Sequence, residues 1–420
     1  MAYSESRIGR VRVKAQSAWG TVATGWAAAD TVECELTYPE LVREAITMED
    51  SIQGTFNHAR IQSGSKVGST FSISMPLHGW SATTPSGNPT MHVDALLLSL
   101  ALGGSELQGY NASNLIGGSA TGEFTNMDDG TANVAWEGNA QLVPMSDTKH
   151  SIGWVQQVDA SGNPDQVHFV NHLGADYSGT VDNQPRAGGA IYGSNTLYMA
   201  RGTTATPLSI QWEGAKASGG NMLVTLYDCV VTSAKITAGP REQPKLEVEL
   251  IAGNWSTGAG GDPGAYTFDL PQLPVFTGEN GARMVINNAS DATVATHVSS
   301  FEFNIDVETV EVGSHSGDQG IAQYAVTNRT CTVEIVQPVD GALTTRDPGY
   351  EPGPIQVDLA GTPGQSLSIA IFAPVLTEIA GVGDSDGLVS QTFAYGAGAY
   401  SGDTAGNGDA ANSPARVAFL

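Results

Sequence analysis

The chain has 420 residues, with 51 glycines, 20 prolines and 43 acidic side chains against 18 basic ones, for a formal charge of −25. So many turn formers in a chain of this length argue for short strands and two domains with their own cores rather than for helices. The negative charge argues against tight binding to nucleic acid or anionic membrane surfaces, both of which demand basic patches.

The first residues, MAYSESRIGRVRVKAQ, lack the apolar core of a signal peptide, and no apolar run approaches membrane-spanning length. Cys34, Cys229 and Cys331 stand singly in or beside strand-like runs. That pattern fits buried thiols in a chain made in a reducing cytosol, not a disulfide framework. Ile8 to Val13 alternates apolar and polar residues and predicts an edge strand, after which Ala18-Trp19-Gly20-Thr21 turns the chain away. Phe56 to Trp80 predicts a strand pair linked through Ser63 to Ser69.

Met91 to Leu102, MHVDALLLSLAL, is the best helix in the chain. Asn88 is its expected cap and Pro89 its first helical residue; Val93, Leu96, Leu97 and Leu100 share a face, and Gly103-Gly104 stops it. A single amphipathic helix among strands covers an open end or face of a sheet. From Asn111 to Arg201, glycine, serine, asparagine and aspartate punctuate brief apolar stretches such as Ser151 to Val158 and Gln166 to Val170. This segment reads as an insertion of extra hairpins or a small appended domain.

Leu223 to Leu250 predicts two strands around the Gly239-Pro240 break, the second alternating Leu246, Val248 and Leu250 with Lys245, Glu247 and Glu249. Its outline returns at Leu367 to Tyr395, where an apolar run meets the glycine-rich break Gly381 to Gly387 and a second strand follows. The link and strand of His58 to Gly79 likewise return at Gln323 to Val336. The chain therefore reads as two copies of one β-unit: residues 1–265, carrying the insertion 111–201, and residues 266–420. Ala252 to Pro271 is the linker between them.

Patterns that carry chemistry are weak. His168 and His172, four apart with Asp176 nearby, match metal-ligand spacing only on a helix, and their apolar neighbours predict a strand. Gly383-Asp384-Ser385-Asp386-Gly387 resembles part of a calcium loop but lacks the distal glutamate and falls where a hairpin turn is expected. No acid pair, nucleophile or phosphate loop stands out, so the expectation is a protein that is not an enzyme and uses no cofactor or metal.

Arg12-Val13-Lys14 followed by Ala18-Trp19-Gly20-Thr21, the Gly64 to Leu77 strands, the leucine helix ending at Gly103, the Tyr227 to Leu250 hairpin, and the late Arg329-Thr330 strand with Gly383 to Gly387 resemble the tail tube proteins of long-tailed bacteriophages. The resemblance covers both copies and leaves out the 111–201 segment. It implies β-sandwich or barrel-like domains flanked by a short helix, six of which close a ring. Rings stack into the conduit through which the genome leaves the virion. With two domains per chain, three chains make one ring with pseudo-sixfold symmetry. The partners implied are further copies of the chain and other tail proteins, with genomic DNA passing unbound, no membrane, and assembly in the host cytoplasm.

Strands of neighbouring domains pairing edge to edge would remove exposed edges by closure. A charge of −25 per chain, turned partly toward the bore, would keep DNA off the wall. Glu247 and Glu249 are the candidate lining residues; the other reading places them on the outer, solvated surface. A reading from a different class is a carbohydrate-binding or adhesin-like β protein, with the insertion as its binding module and the tryptophans and tyrosines stacking on sugars.

Overall fold

The structure is a computed structural model that describes residues 9–37, 41–48, 60–67, 70–79, 92–107, 115–118, 124–127, 136–144, 150–161, 165–169, 192–200, 202, 205–215, 221–260, 272–277, 282–287, 292–294, 298–313, 321–338, 353–379, 383–385, 388–400 and 410–420. Strands β1 (Gly9–Ala15), β2 (Thr31–Val32), β3 (Glu35–Leu36), β4 (Val42–Met48), β5 (Arg60–Val67) and β6 (Thr70–Pro76) precede helix α1 (Val93–Leu102). Then come β7 (Gly103–Leu107), β8 (Leu115–Gly118), β9 (Phe124–Met127), β10 (Ala140–Pro144), β11 (His150–Asp159), β12 (Asp165–Phe169) and β13 (Asn195–Met199). The hairpin strands are β14 (Leu208–Ala215), β15 (Asn221–Ala238) and β16 (Lys245–Gly260). The second half holds β17 (Arg283–Asn287), β18 (Ala292–Val294), β19 (Ser300–Gly313), β20 (Ile321–Pro338) and β21 (Ile355–Asp358). It ends with β22 (Leu367–Ile371), β23 (Pro374–Ile379), β24 (Gly383–Ser385), β25 (Leu388–Ala397) and β26 (Ala415–Phe419).

The protein is mainly β, as its turn-rich composition predicts, and its strands form antiparallel sheets of twelve, seven, five and two strands. The twelve-stranded sheet is the spine. Along it run β3, β6, β16 and β15, then β19, β20, β25 and β23. Each set of four takes the order first, second, fourth, third in the chain. Because every ladder is antiparallel, both sets also point the same way across the sheet.

Alternation explains which face is buried. Phe71, Ile73 and Met75 of β6, Leu246, Val248 and Leu250 of β16, and Phe301, Phe303 and Ile305 of β19 all point inward. They meet Ile355, Val357, Ile369, Val417 and Phe419 of the seven-stranded sheet in one continuous apolar cluster that spans both halves of the chain.

Helix α1 begins at Val93, with His92 at its N-cap, and Asn88 and Pro89 lie outside the described residues. Its buried side differs from the expected stripe: Leu98, Ala101 and Leu102 are buried with Val93 and Leu97, whereas Leu96 and Leu100 are only partly covered. The physical reason is that the helix touches β15 and β19 of one sheet and β7 and β13 of the other, so more than one stripe is enclosed. Gly103 ends the helix at φ 92°, a left-handed conformation that favours glycine. A Cβ there would also run into the Arg329 guanidinium, which donates to the last helical carbonyls at Ala101, 3.0 Å away, and to Gly202, 2.6 Å away.

The turn at Ala18 to Thr21 docks on a bulge in β15. Asp228, at φ 55°, accepts from the Gly20 amide at 2.7 Å, and its own amide donates to Gln16 at 2.8 Å. Trp19 then reaches Tyr324 of β20, with ring centroids 5.9 Å apart.

Three further expectations are corrected. The expected link Ser63 to Ser69 is mostly strand, because β5 runs to Val67, and β5 pairs with β4 while β6 pairs with β16 and β3, so the two expected strands are not ladder partners. β1 lies between β14 and the two-residue β2, so it is flanked on both sides rather than open. The stretch 252–260, expected as linker, is the continuation of β16, because β15 is long enough to pair with it as far as Gly260. Residues 261–271 lie outside the described residues.

Within the 111–201 segment, β8 to β12 form the five-stranded sheet, and β13 joins β7 and β26 in the seven-stranded one. Ala140, Leu142, Ile152 and Trp154 pack on Ala370, Phe372, Ala418 and Leu420 of the second half. A buried polar cluster pins the contact: Trp154 Nε1 donates to Ser368 at 3.1 Å, Gln356 donates to the Ile152 carbonyl at 3.0 Å, and Arg283 pairs with Asp358.

Candidate functional site

The outward face of the spine sheet is polar from β6 to β20, and the register assigns its rows. Ser74, Glu247, Lys235, Asn304 and Thr332 stand side by side across β6, β16, β15, β19 and β20. The row beside it is Ser72, Glu249, Ser233, Asp306 and Thr330. On the other side runs Lys245, Thr237, Glu302, Glu334, Ala394 and Glu378, which reaches β25 and β23.

Glu247 and Glu249 therefore occupy one face and share it with Glu302, Asp306, Glu308, Glu334 and Glu378; Lys235 and Lys245 are the cations on these rows. Lys235 Nζ lies 3.6 Å from Glu247, with both side chains more than a third exposed. At that exposure the pair holds Glu247 only weakly, so the face keeps its negative sign. The added acids of β19 and β20 are legible in FEFNIDVE and TCTVEIV, whose alternation matches that of the Glu247 strand, but only the register places them together.

Beneath this face the groups are inert at neutral pH. Burial, helped by nearby Asp306, pushes the Cys331 thiol up to about 12, and burial raises Cys229 well above its ordinary value. Burial and the neighbouring Glu311 push Tyr324 up to about 12. All three cysteines are free thiols.

His168 sits on strand β12, while His172 and Asp176 lie outside the described residues. Gly383 to Ser385 is a short strand that pairs back on Leu388 to Ser390, which is the turn reading of that glycine-aspartate stretch. Among the described residues, the grouping whose atoms could surround a metal is His78, His92 and Asp94, which no spacing in the sequence announces. No helix among the described residues is long and apolar enough to cross a membrane.

No protein-family model and no curated protein matches this chain.

Proposed function

We propose that the chain is the ring-forming subunit of a bacteriophage tail tube, in which three copies enclose a bore lined by the polar face of the spine sheet. The observation that carries this reading is the repeated strand order. β3-β6-β16-β15 is followed in the same sheet and direction by β19-β20-β25-β23, so the ladder between β15 and β19 joins one unit to the next inside the chain.

A head-to-tail join of this kind can be repeated between chains: β23 of one copy meets the β3 and β6 side of the next, and three chains supply six units. The outer edge fits such a role. Val375 lies on β23, the last strand of the order, and is 45% exposed. An acidic wall repels the phosphate backbone, so DNA slides through without specific contacts, and the chain acts as virion structure rather than as a catalyst.

The test is electron microscopy of the purified protein, combined with its mass in solution. Rings or tubes containing three chains per layer support the reading. A monodisperse monomer that stays single at high concentration would end it.

A further inference from the structure

We propose that His78, His92 and Asp94 bind one divalent cation of the zinc class, and that the ion ties the end of β6 to the start of α1. The three side chains come from two segments that the fold fixes independently. Leu77 donates to Pro244 and accepts from Leu273, and His78 forms an isolated bridge with Gln272, so His78 sits on a held backbone. His92 is the N-cap of α1, and Asp94 lies in its first turn.

The carboxylate is already oriented. Asp94 Oδ2 accepts the His78 amide at 2.6 Å and Oδ1 accepts the Ala95 amide at 2.8 Å, and each oxygen also faces one imidazole. His78 Nδ1 lies 3.5 Å from Oδ2, and His92 Nδ1 lies 3.5 Å from Oδ1. With one nitrogen beside each oxygen, both imidazoles and the carboxylate can approach a single ion, whose bonds to such ligands run about 2.0–2.2 Å.

One ligand atom from each of the three residues lies within 4.8 Å of the others. The two imidazole rings face each other at a tilt, with centroids 3.9 Å apart and planes at 31°. His78 and Asp94 are fully buried and His92 is 8% exposed. Two nitrogens and one oxygen form a donor set that suits zinc, cobalt or nickel and not calcium or magnesium, which take oxygen ligands. The alternative is a histidine pair hydrogen-bonded to the carboxylate, which binds no metal.

Gly79, next to the site, lies against the second half of the chain: a Cβ there would approach the Gly364 carbonyl oxygen to 2.1 Å. The ion would therefore stiffen the seam between the two halves, a structural role that stands or falls apart from ring assembly.

The experiment uses the full chain purified without chelator. Elemental analysis should find one zinc per chain. Cobalt added to stripped protein should give the visible absorption of a low-symmetry nitrogen and oxygen site, and chelator should lower the melting temperature. His92→Gln, at the least buried of the three positions, should weaken cobalt binding by about a hundred-fold and bring the melting temperature to that of chelated protein. Unmodified protein that gives only the spectrum of aqueous cobalt overturns the proposal without any variant, as does a His92→Gln protein that binds cobalt as tightly as the original.

Discussion

Glu302 and Glu334 stand directly opposite each other across the β19–β20 ladder, with Glu378 further along the same row beyond Ala394. Like charges facing across a ladder destabilise it. Asn304 donates to Glu302 at 3.0 Å, which anchors that carboxylate without cancelling its charge. In the proposed tube, this pair would belong to the wall that repels DNA.

Glu334→Lys should therefore stabilise the isolated chain by about 0.2–1 kcal/mol at low ionic strength, by converting a repulsive pair into an attractive one. The gain should shrink in concentrated salt. Urea unfolding at two salt concentrations measures it, and an unchanged or lowered midpoint at low salt contradicts the reading of that pair.

Glu247→Lys together with Glu249→Lys should leave ring assembly intact, because both side chains lie on the polar face and neither enters the apolar cluster. Genome release from particles carrying the change should slow, since the bore would now attract phosphate. Release kinetics at the original rate would place these residues away from the DNA path.

Backbone amides of residues 375–379 in β23 should exchange with solvent quickly in the dissociated chain and slowly in the assembled tube, because β23 gains a second ladder partner. Hydrogen exchange read by mass spectrometry reports this directly. Equal exchange in the two states would show that β23 is not the joining edge.

Arg283→Met should destabilise the chain by about 3–5 kcal/mol at neutral pH, because it strands a buried Asp358 carboxylate. Burial pushes the Asp358 pKa up, and Arg283, Ser368 and Gln356 pull it back only in part. A folded pKa above the unfolded one means that the contribution of Asp358 is full below its ordinary 3.8 and is lost as pH rises through the folded value. The penalty of Arg283→Met should accordingly shrink on acidification. Thermal melts across pH check the sign, and a penalty that grows toward acid pH refutes it.

Deleting residues 111–201 should give insoluble protein, because β13 is removed from between β7 and β26 and Phe372 loses its contact with Trp154. A soluble product that still melts cooperatively would show that the seven-stranded sheet closes without that strand.

The alternation in LEVEL, and its counterpart in FEFNIDVE, makes the strands and their buried sides legible from the order of residues alone, because a period of two is a local property. The turn residues around Gly103 and Gly239 are equally readable. Which strands are neighbours is not: β3 and β6 lie far in sequence from β16, and nothing local records that their edges meet. For the same reason the face shared by Glu247, Glu302 and Glu334 emerges only from the register. The histidines of the proposed metal site are hidden for a related cause, since His78 and His92 are separated by a span that masks the spacing a ligand motif would show.

The most direct test of the account is a cryo-electron microscopy reconstruction of the assembled protein at a resolution that shows side chains. The account predicts layers of three chains, with β23 laddered to the β3 and β6 side of the next copy and Glu247, Glu249, Glu302 and Glu334 pointing into the bore. An assembly in which that face turns outward, or in which the chains meet through other strands, would contradict it.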